Sequence, residues 1–335
     1  MGLGISDRCV RDMRIVVIGQ AAFGKSVVES LCNAGEEVVA VFCPVDRDGK
    51  EFDPIKQEAV ARAIPVLQFK RMRDDDAVQA FLETDPDLCV MAFVTDFVPD
   101  SMLQAPKLGT IQYHPSMLPL HRGPSSINWP IIKGEDTTGI SIFWPDDGLD
   151  TGPILMQKTA SIGSNDTVGS LYYEKLYPLG VQAMVESVAL IREGVAPQIP
   201  QDHESATYET WCGREDGRIN WDANGLTIYN LIRGCDPRPG ASARFGEKDV
   251  FFFDASYERM RAGGGTPLVA RVLDRPGGGL NEGTVAGEVA AINEKGLRIA
   301  VRAGHITVAT VRVDGTKSSA ASWAEAHMAV GDRFT

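Results

Sequence analysis

The sequence predicts an α/β fold: a doubly wound parallel sheet followed by a smaller β-barrel domain. Three observations carry this. From residue 13 to about residue 193, short β-branched apolar runs alternate with stretches of helical periodicity. After a polar, proline-containing stretch over residues 196–217, short apolar runs separated by turn-forming and Gly-rich segments take over. The 335 residues exceed the usual length of one domain, and either half is long enough to bury its own core.

Residues 13–19 (MRIVVIG) form the first buried strand. A helix follows over 24–35, where Leu31 lies four and three residues beyond Val27 and Val28 and Gly35 is the stop. The alternation continues with a strand at 37–42, a polar turn at 46–50, a helix at 53–63 and a short strand at 64–67. A helix at 75–83 leads into a buried strand at 87–94 (DLCVMAFV). A strand at 110–113 runs into an irregular loop dense in His, Pro, Ser, Arg and Gly. A further strand at 140–144 precedes the acidic loop 146–152, and a long helix spans 167–193 with Asp166-Thr167 as N-cap and Gly194 as stop. A short helix at 224–233 precedes strands at 249–253, 268–273, 287–292, 297–303 and 306–311. The first domain is therefore Rossmann-like and expected over 13–208, the second an OB-like barrel over 209–335, and residues 1–12 a disordered leader.

Composition narrows the function. The chain is 44% hydrophobic and 23% charged, as in soluble globular proteins. Its longest apolar runs are far too short to span a bilayer, and Arg8 and Arg11 have no apolar stretch behind them to make a secretory signal. Lys and Arg number 33 against 45 Asp and Glu, a net charge of -12, which argues against a large polyanionic partner such as tRNA. Six cysteines (Cys9, Cys32, Cys43, Cys89, Cys212, Cys235) show no close pair in sequence, so neither a disulfide scaffold nor a zinc site is expected. Cys32, Cys43 and Cys89 read as buried thiols, and a reducing cytoplasm fits best.

Three segments could carry chemistry. Gly19-Gln20-Ala21-Ala22-Phe23-Gly24 lies at a strand-to-helix turn but lacks the middle glycine of the dinucleotide fingerprint, so no NAD is expected. Gln112 and His114, two apart on a strand, share a face at its carboxyl end, where open α/β sheets bind ligands. His121-Arg122-Gly123 follows nearby. Asp146-Asp147-Gly148-Leu149-Asp150-Thr151-Gly152 holds three carboxylates without the spacing of an EF-hand. Its glycines imply a constrained backbone that aims one carboxylate inward, where it could orient an imidazole.

The ordered set His114-Pro115-Ser116-Met117-Leu118-Pro119, His121-Arg122-Gly123 and Gly148-Leu149-Asp150-Thr151-Gly152 resembles the 10-formyltetrahydrofolate-dependent formyltransferase family. Within it the chain is similar to the hydrolase domain of 10-formyltetrahydrofolate dehydrogenase, through Val17-Ile18-Gly19-Gln20, Asp48-Gly49-Lys50, Ser141-Ile142-Phe143-Trp144 and Ile219-Asn220-Trp221-Asp222 among others. It is also similar to methionyl-tRNA formyltransferases. The resemblance runs from Met13 to about Phe253.

That resemblance implies a formyl donor, 10-formyltetrahydrofolate, and places the catalytic pair on His114 and Asp150. Methionyl-tRNA formyltransferases carry Asn two residues before the His and the dehydrogenase domain an apolar residue; Gln112 departs from both and is taken as a third catalytic residue. The pterin loop falls on Phe93, Val94, Thr95, Asp96, Phe97 and Val98, with Asp146 and Asp147 added as folate-binding residues. His114 and Gln112 would stabilise charge on the formyl oxygen, while Asp150 holds His114 or takes the proton of the incoming amine or water. No metal is implied. The competing classes are an NAD-dependent dehydrogenase, disfavoured by the broken fingerprint, and a folate sensor, disfavoured because His114 and Asp150 are both present. Water, a small amine, an amino sugar and methionyl-tRNA all remain open as acceptors.

Overall fold

A computed structural model describes residues 13–260 and 285–335. The expected leader and the expected strand at 268–273 lie outside these residues. The chain divides into two compact units: one holds the described residues up to Gly123, with Gly139–Ala160 and Lys175–Tyr208; the other holds Pro124–Thr138, Ser161–Glu174 and the described residues from Glu209 onward.

The first unit opens with β1 (Arg14–Gly19), α1 (Ala21–Asn33), β2 (Glu37–Cys43), α2 (Pro54–Ala61), β3 (Val66–Gln68), α3 (Asp75–Glu83), β4 (Leu88–Ala92), α4 (Asp100–Leu103) and β5 (Thr110–His114). β1 and β4 are apolar on both faces and almost wholly buried, as strands covered by helices on both sides must be. They sit at the centre of a seven-stranded sheet in the order β3-β2-β1-β4-β5-β6-β7, where β6 is Thr137–Phe143 and β7 is Ile154–Ser161. The strand order reverses between β1 and β4, the switch point at which such sheets bind ligands. Gly19 is needed there, because a Cβ would lie 2.5 Å from the Ala92 carbonyl oxygen.

The wholly parallel sheet expected from sequence is corrected by β6, which runs antiparallel to β5. Between them lies no helix longer than the six-residue α5 (Asn128–Lys133), so the crossover helix that usually brings a strand back parallel is missing. The long expected helix is observed as α6 (Val168–Ser170), a π-helical turn (Leu171–Leu176) and α7 (Tyr177–Arg192). Thr167 caps it through a reciprocal pair with Ser170, and Gly194 ends it at φ 71.

The second unit contains α5, α6, α8 (Gly225–Gly234) and the strands β8 (Ala241–Phe245), β9 (Lys248–Arg259), β10 (Val289–Asn293), β11 (Gly296–Val301), β12 (Gly304–Val313) and β13 (Thr316–Ser319), followed by α9 (Ala320–His327). The strands form an antiparallel sheet in the order β10-β11-β12-β9-β8, with β13 also paired to β12. Among the described residues this path is open and does not close into the expected barrel. Its core joins Trp221, Phe252, Trp323 and Phe334 to Ile228 and Ile232 of α8. Arg233 is buried on α8, donating to Asn230 Oδ1 and to the carbonyls of Gly163 and Asp166, and burial holds its pKa below the ordinary value. Among the described residues no helix is long and apolar enough to cross a membrane.

Candidate active site

β5 delivers His114 to the carboxyl end of the sheet, where its side chain is buried. Its Nε2 lies 2.8 Å from the carbonyl oxygen of His121. A carbonyl only accepts, so Nε2 carries the proton and donates it, which turns Nδ1 toward Asp150. Nδ1 and Asp150 Oδ2 are 3.6 Å apart, just beyond hydrogen-bond reach. Oδ2 also accepts from the Gly123 backbone N–H at 2.8 Å. The motif His121-Arg122-Gly123 thus grips both members of the pair through its backbone. His121 and Asp150 both adopt positive φ, 56° each, a costly conformation held by these contacts.

The loop carrying Asp150 is fixed from below. Gly152 packs so closely that a Cβ would lie 1.8 Å from the Trp144 carbonyl oxygen. Gln201 donates from Nε2 to the carbonyls of Asp150 (2.9 Å) and Gly152 (2.7 Å). Its Oε1 accepts from Arg122 Nε (3.2 Å) and Nη2 (2.7 Å). Arg122 is only 1% exposed and is further satisfied by Tyr208 Oη (2.5 Å) and His203 Nδ1 (3.1 Å). The loop that follows His114 is braced by Ser141, whose Oγ donates to the Ser116 carbonyl and accepts from the Leu118 N–H. Gln157 donates to the Leu118 carbonyl and to Ser141 Oγ.

Gln112 sits two residues before His114 on β5, half-buried, between Met91 of β4 and Phe143 of β6. Its amide makes no hydrogen bond to the described residues, so its donors are available to a ligand.

The structure brings His114 and Asp150 together and gives the other expected residues distinct tasks. Phe93, at φ 63, and Phe97 expose their rings at the loop that leaves β4, while Val98 turns inward among Met72, Phe81, Met91 and Met102 and anchors it. Val94 is half-buried. Thr95 Oγ1 accepts from Gln20 Nε2 at 3.0 Å. Asp96 accepts from the backbone N–H groups of Met72 and Phe97, clamping the loop. Asp146 is spent on its own turn, accepting from Gly148 N–H and Thr151 Oγ1, whereas Asp147 is exposed. A cavity of about 240 Å³ opens between Gly19-Gln20, Phe42, Arg47, Phe69, Lys70 and Phe93–Asp96, at the strand-order switch. Sequence reasoning missed the tasks of Arg122 and Gln201; an Arg inside the singled-out motif His121-Arg122-Gly123 was the available signal. It also missed Asp53, whose Oδ1 accepts from the N–H of Ala21 (2.8 Å) and of Ile55 (3.0 Å).

A buried imidazole–carboxylate pair at the carboxyl end of a Rossmann-like sheet, two residues along β5 from an uncommitted amide, has the groups that the proton transfers of acyl transfer would need. Residues 13–188 match the family Formyl transferase, and residues 213–327 match Formyl transferase, C-terminal domain. The chain belongs to the formyl transferase family.

Relatives include mitochondrial 10-formyltetrahydrofolate dehydrogenase of Mus musculus, 42% identical over 270 residues, covering 79% of this chain and 29% of the relative. Cytosolic 10-formyltetrahydrofolate dehydrogenase of Homo sapiens is 44% identical over 249 residues, covering 73% and 28%. Methionyl-tRNA formyltransferase of Desulforamulus reducens is 36% identical over 233 residues, covering 68% and 73%. The chain spans under a third of the length of those dehydrogenases. Among solved structures, HypX from Aquifex aeolicus in complex with tetrahydrofolic acid superposes with a TM-score of 0.65 at 19% identity, over 93% of this chain and 47% of that one. An N-formyltransferase from Helicobacter canadensis, in complex with folinic acid and dTDP-3-aminofucose, gives 0.62 at 16% identity, over 88% and 98%. At these identities the likeness shows the fold.

Proposed function

We propose that this chain removes the formyl group of 10-formyltetrahydrofolate, releasing tetrahydrofolate, with His114 and Asp150 as its catalytic pair. One arrangement carries this: a buried His114 whose Nδ1 faces the Asp150 carboxylate, next to the uncommitted Gln112 amide. The folate ligands of the two solved neighbours and the names of the dehydrogenase relatives support the donor.

In this scheme the acceptor attacks the formyl carbon, and negative charge develops on the formyl oxygen. The Gln112 amide donates to that oxygen. His114 is already fixed by the His121 carbonyl, so it acts through Nδ1 together with Asp150. The pair takes the proton of the nucleophile and returns one to N10 as tetrahydrofolate departs. With water as acceptor the products are formate and tetrahydrofolate. The exposed rings of Phe93 and Phe97 flank the pterin, and Val94, Thr95, Asp96 and Val98 give their loop its shape. Asp147 is the exposed carboxylate left to meet the folate, while Asp146 shapes the turn.

Two features disfavour a dinucleotide or a tRNA. The Asp53 carboxylate occupies the Ala21 N–H at the start of α1, placing negative charge where a diphosphate would bind. The net charge of -12 opposes a polyanion. Water is the first acceptor to test, given the dehydrogenase relatives; a cytoplasmic setting is part of the same proposal. The experiment follows tetrahydrofolate and formate release from 10-formyltetrahydrofolate, with and without small amines, amino sugars and charged tRNA. Turnover with water alone supports hydrolysis, and turnover only with an amine moves the proposal to transfer. Stabilisation by NAD with no folate turnover under any condition would refute it.

A further inference from the structure

Cys212 and Cys235 are 23 positions apart in sequence, yet their sulfurs lie 4.0 Å apart in the second unit. We infer that they form an oxidisable dithiol, closed to a disulfide by a hydroperoxide and reopened by a thiol reductant. The two thiols have unequal access. Cys212 is half-buried in the loop before α8, where its N–H donates to Ser125 Oγ at 2.9 Å. Cys235 is fully buried, capping the end of α8, its N–H donating to the Leu231 carbonyl and its own carbonyl accepting from Gly240 N–H. A small oxidant reaches Cys212, and Cys235 waits behind it as the resolving thiol.

The electrostatics favour the same order. The hydrogen bond from Cys235 lowers the Cys212 thiol below its ordinary value, against burial and the Asp216 carboxylate. The same contact, together with burial, raises Cys235. The other described cysteines are held back: burial raises Cys32, pushes Cys43 up to about 11 and Cys89 up to about 12.

The chemistry balances. The Cys212 thiolate attacks the peroxide O–O bond, becoming a sulfenic acid and releasing water after protonation. Cys235 then attacks the Cys212 sulfur, forming the S–S bond and expelling a second water. Two thiols and one hydrogen peroxide become one disulfide and two waters. The sulfurs, 4.0 Å apart, must close by about 2 Å to bonding distance.

The test treats the full chain with hydrogen peroxide at near-stoichiometric dose and maps its peptides without reduction. The expected product is a linked peptide joining Cys212 to Cys235, two hydrogens lighter than its parts and reopened by dithiothreitol. Cys212→Ser abolishes it and leaves Cys235 unoxidised. Cys235→Ser leaves a sulfenic acid on Cys212, trapped by dimedone. Oxidation of Cys212 to the sulfinic state with Cys235 free, or earlier oxidation of Cys32, would overturn the proposal.

Discussion

Replacing Gln201 separates the stability of the site from its chemistry. Gln201→Leu removes two donations to the Asp150 and Gly152 carbonyls and two charge-assisted acceptances from Arg122. Arg122, 1% exposed, would keep Tyr208 and His203 as its side-chain partners among the described residues. A neutral hydrogen bond contributes about 1 kcal/mol and a charge-assisted one about 1.5–3 kcal/mol, and the four are not additive. The expected destabilisation is about 2–4 kcal/mol. Gln201→Glu is the informative partner. Its carboxylate satisfies Arg122, but it has no donor for the two carbonyls and sets an oxygen against them, so stability still falls by about 1–3 kcal/mol. Asp150 then loses its tether, and turnover falls by about 10²-fold, the cost expected for misplacing a reacting group by about 1 Å. Urea denaturation and kcat measure the two effects separately. Unchanged stability in Gln201→Leu together with unchanged kcat in Gln201→Glu would refute the tether.

Three further outcomes are expected. Gly152→Ala forces the backbone away from the Trp144 carbonyl and should cost about 2–4 kcal/mol, with turnover lost as Asp150 moves; an unchanged Tm would contradict the close packing. Gln112→Leu should slow turnover by about 10²-fold if its amide meets the formyl oxygen, whereas wild-type kinetics would make it a bystander. His305 has its pKa lowered by burial first and by Arg298 second, so the unfolded chain binds the proton more readily. Stability is therefore full above about pH 6.5 and declines as pH falls toward the lowered value. His305→Gln should flatten that decline in Tm measured from pH 8 to pH 5, and an identical slope would remove His305 as the cause.

The strands at the heart of the first unit were legible because burial on both faces leaves an unbroken apolar run, as in Ile15 to Ile18. The edge strand β7 escaped notice since only its first two residues, Ile154 and Leu155, are buried, and Gln157, Lys158 and Thr159 break its apolar run. α9 was hidden by its shortness, although Ser319 caps it as a helix start should be capped. The antiparallel turn of β6 depends on the path of the chain after β5, which no local pattern encodes. At the site, His114 was legible from its place at a strand end, and Asp150 only through the family motif. Among three carboxylates, what selects Asp150 is the contact with Gly123 and His114, both distant in sequence. Asp146, also a carboxylate, accepts instead from Thr151 and Gly148. The approach of Cys212 to Cys235 is likewise a product of tertiary packing around α8.

In the proposed mechanism His114 and Asp150 act as one catalytic unit on a bound formyl folate. Single-turnover release of tetrahydrofolate from 10-formyltetrahydrofolate tests it most directly, measured for His114→Ala, Asp150→Ala and the double variant alongside folate affinity. The expected result is a loss of at least about 10²–10³-fold in each single variant, a double variant little worse than the poorer single one, and affinity within a few-fold of wild type. Near wild-type release from both single variants would contradict it.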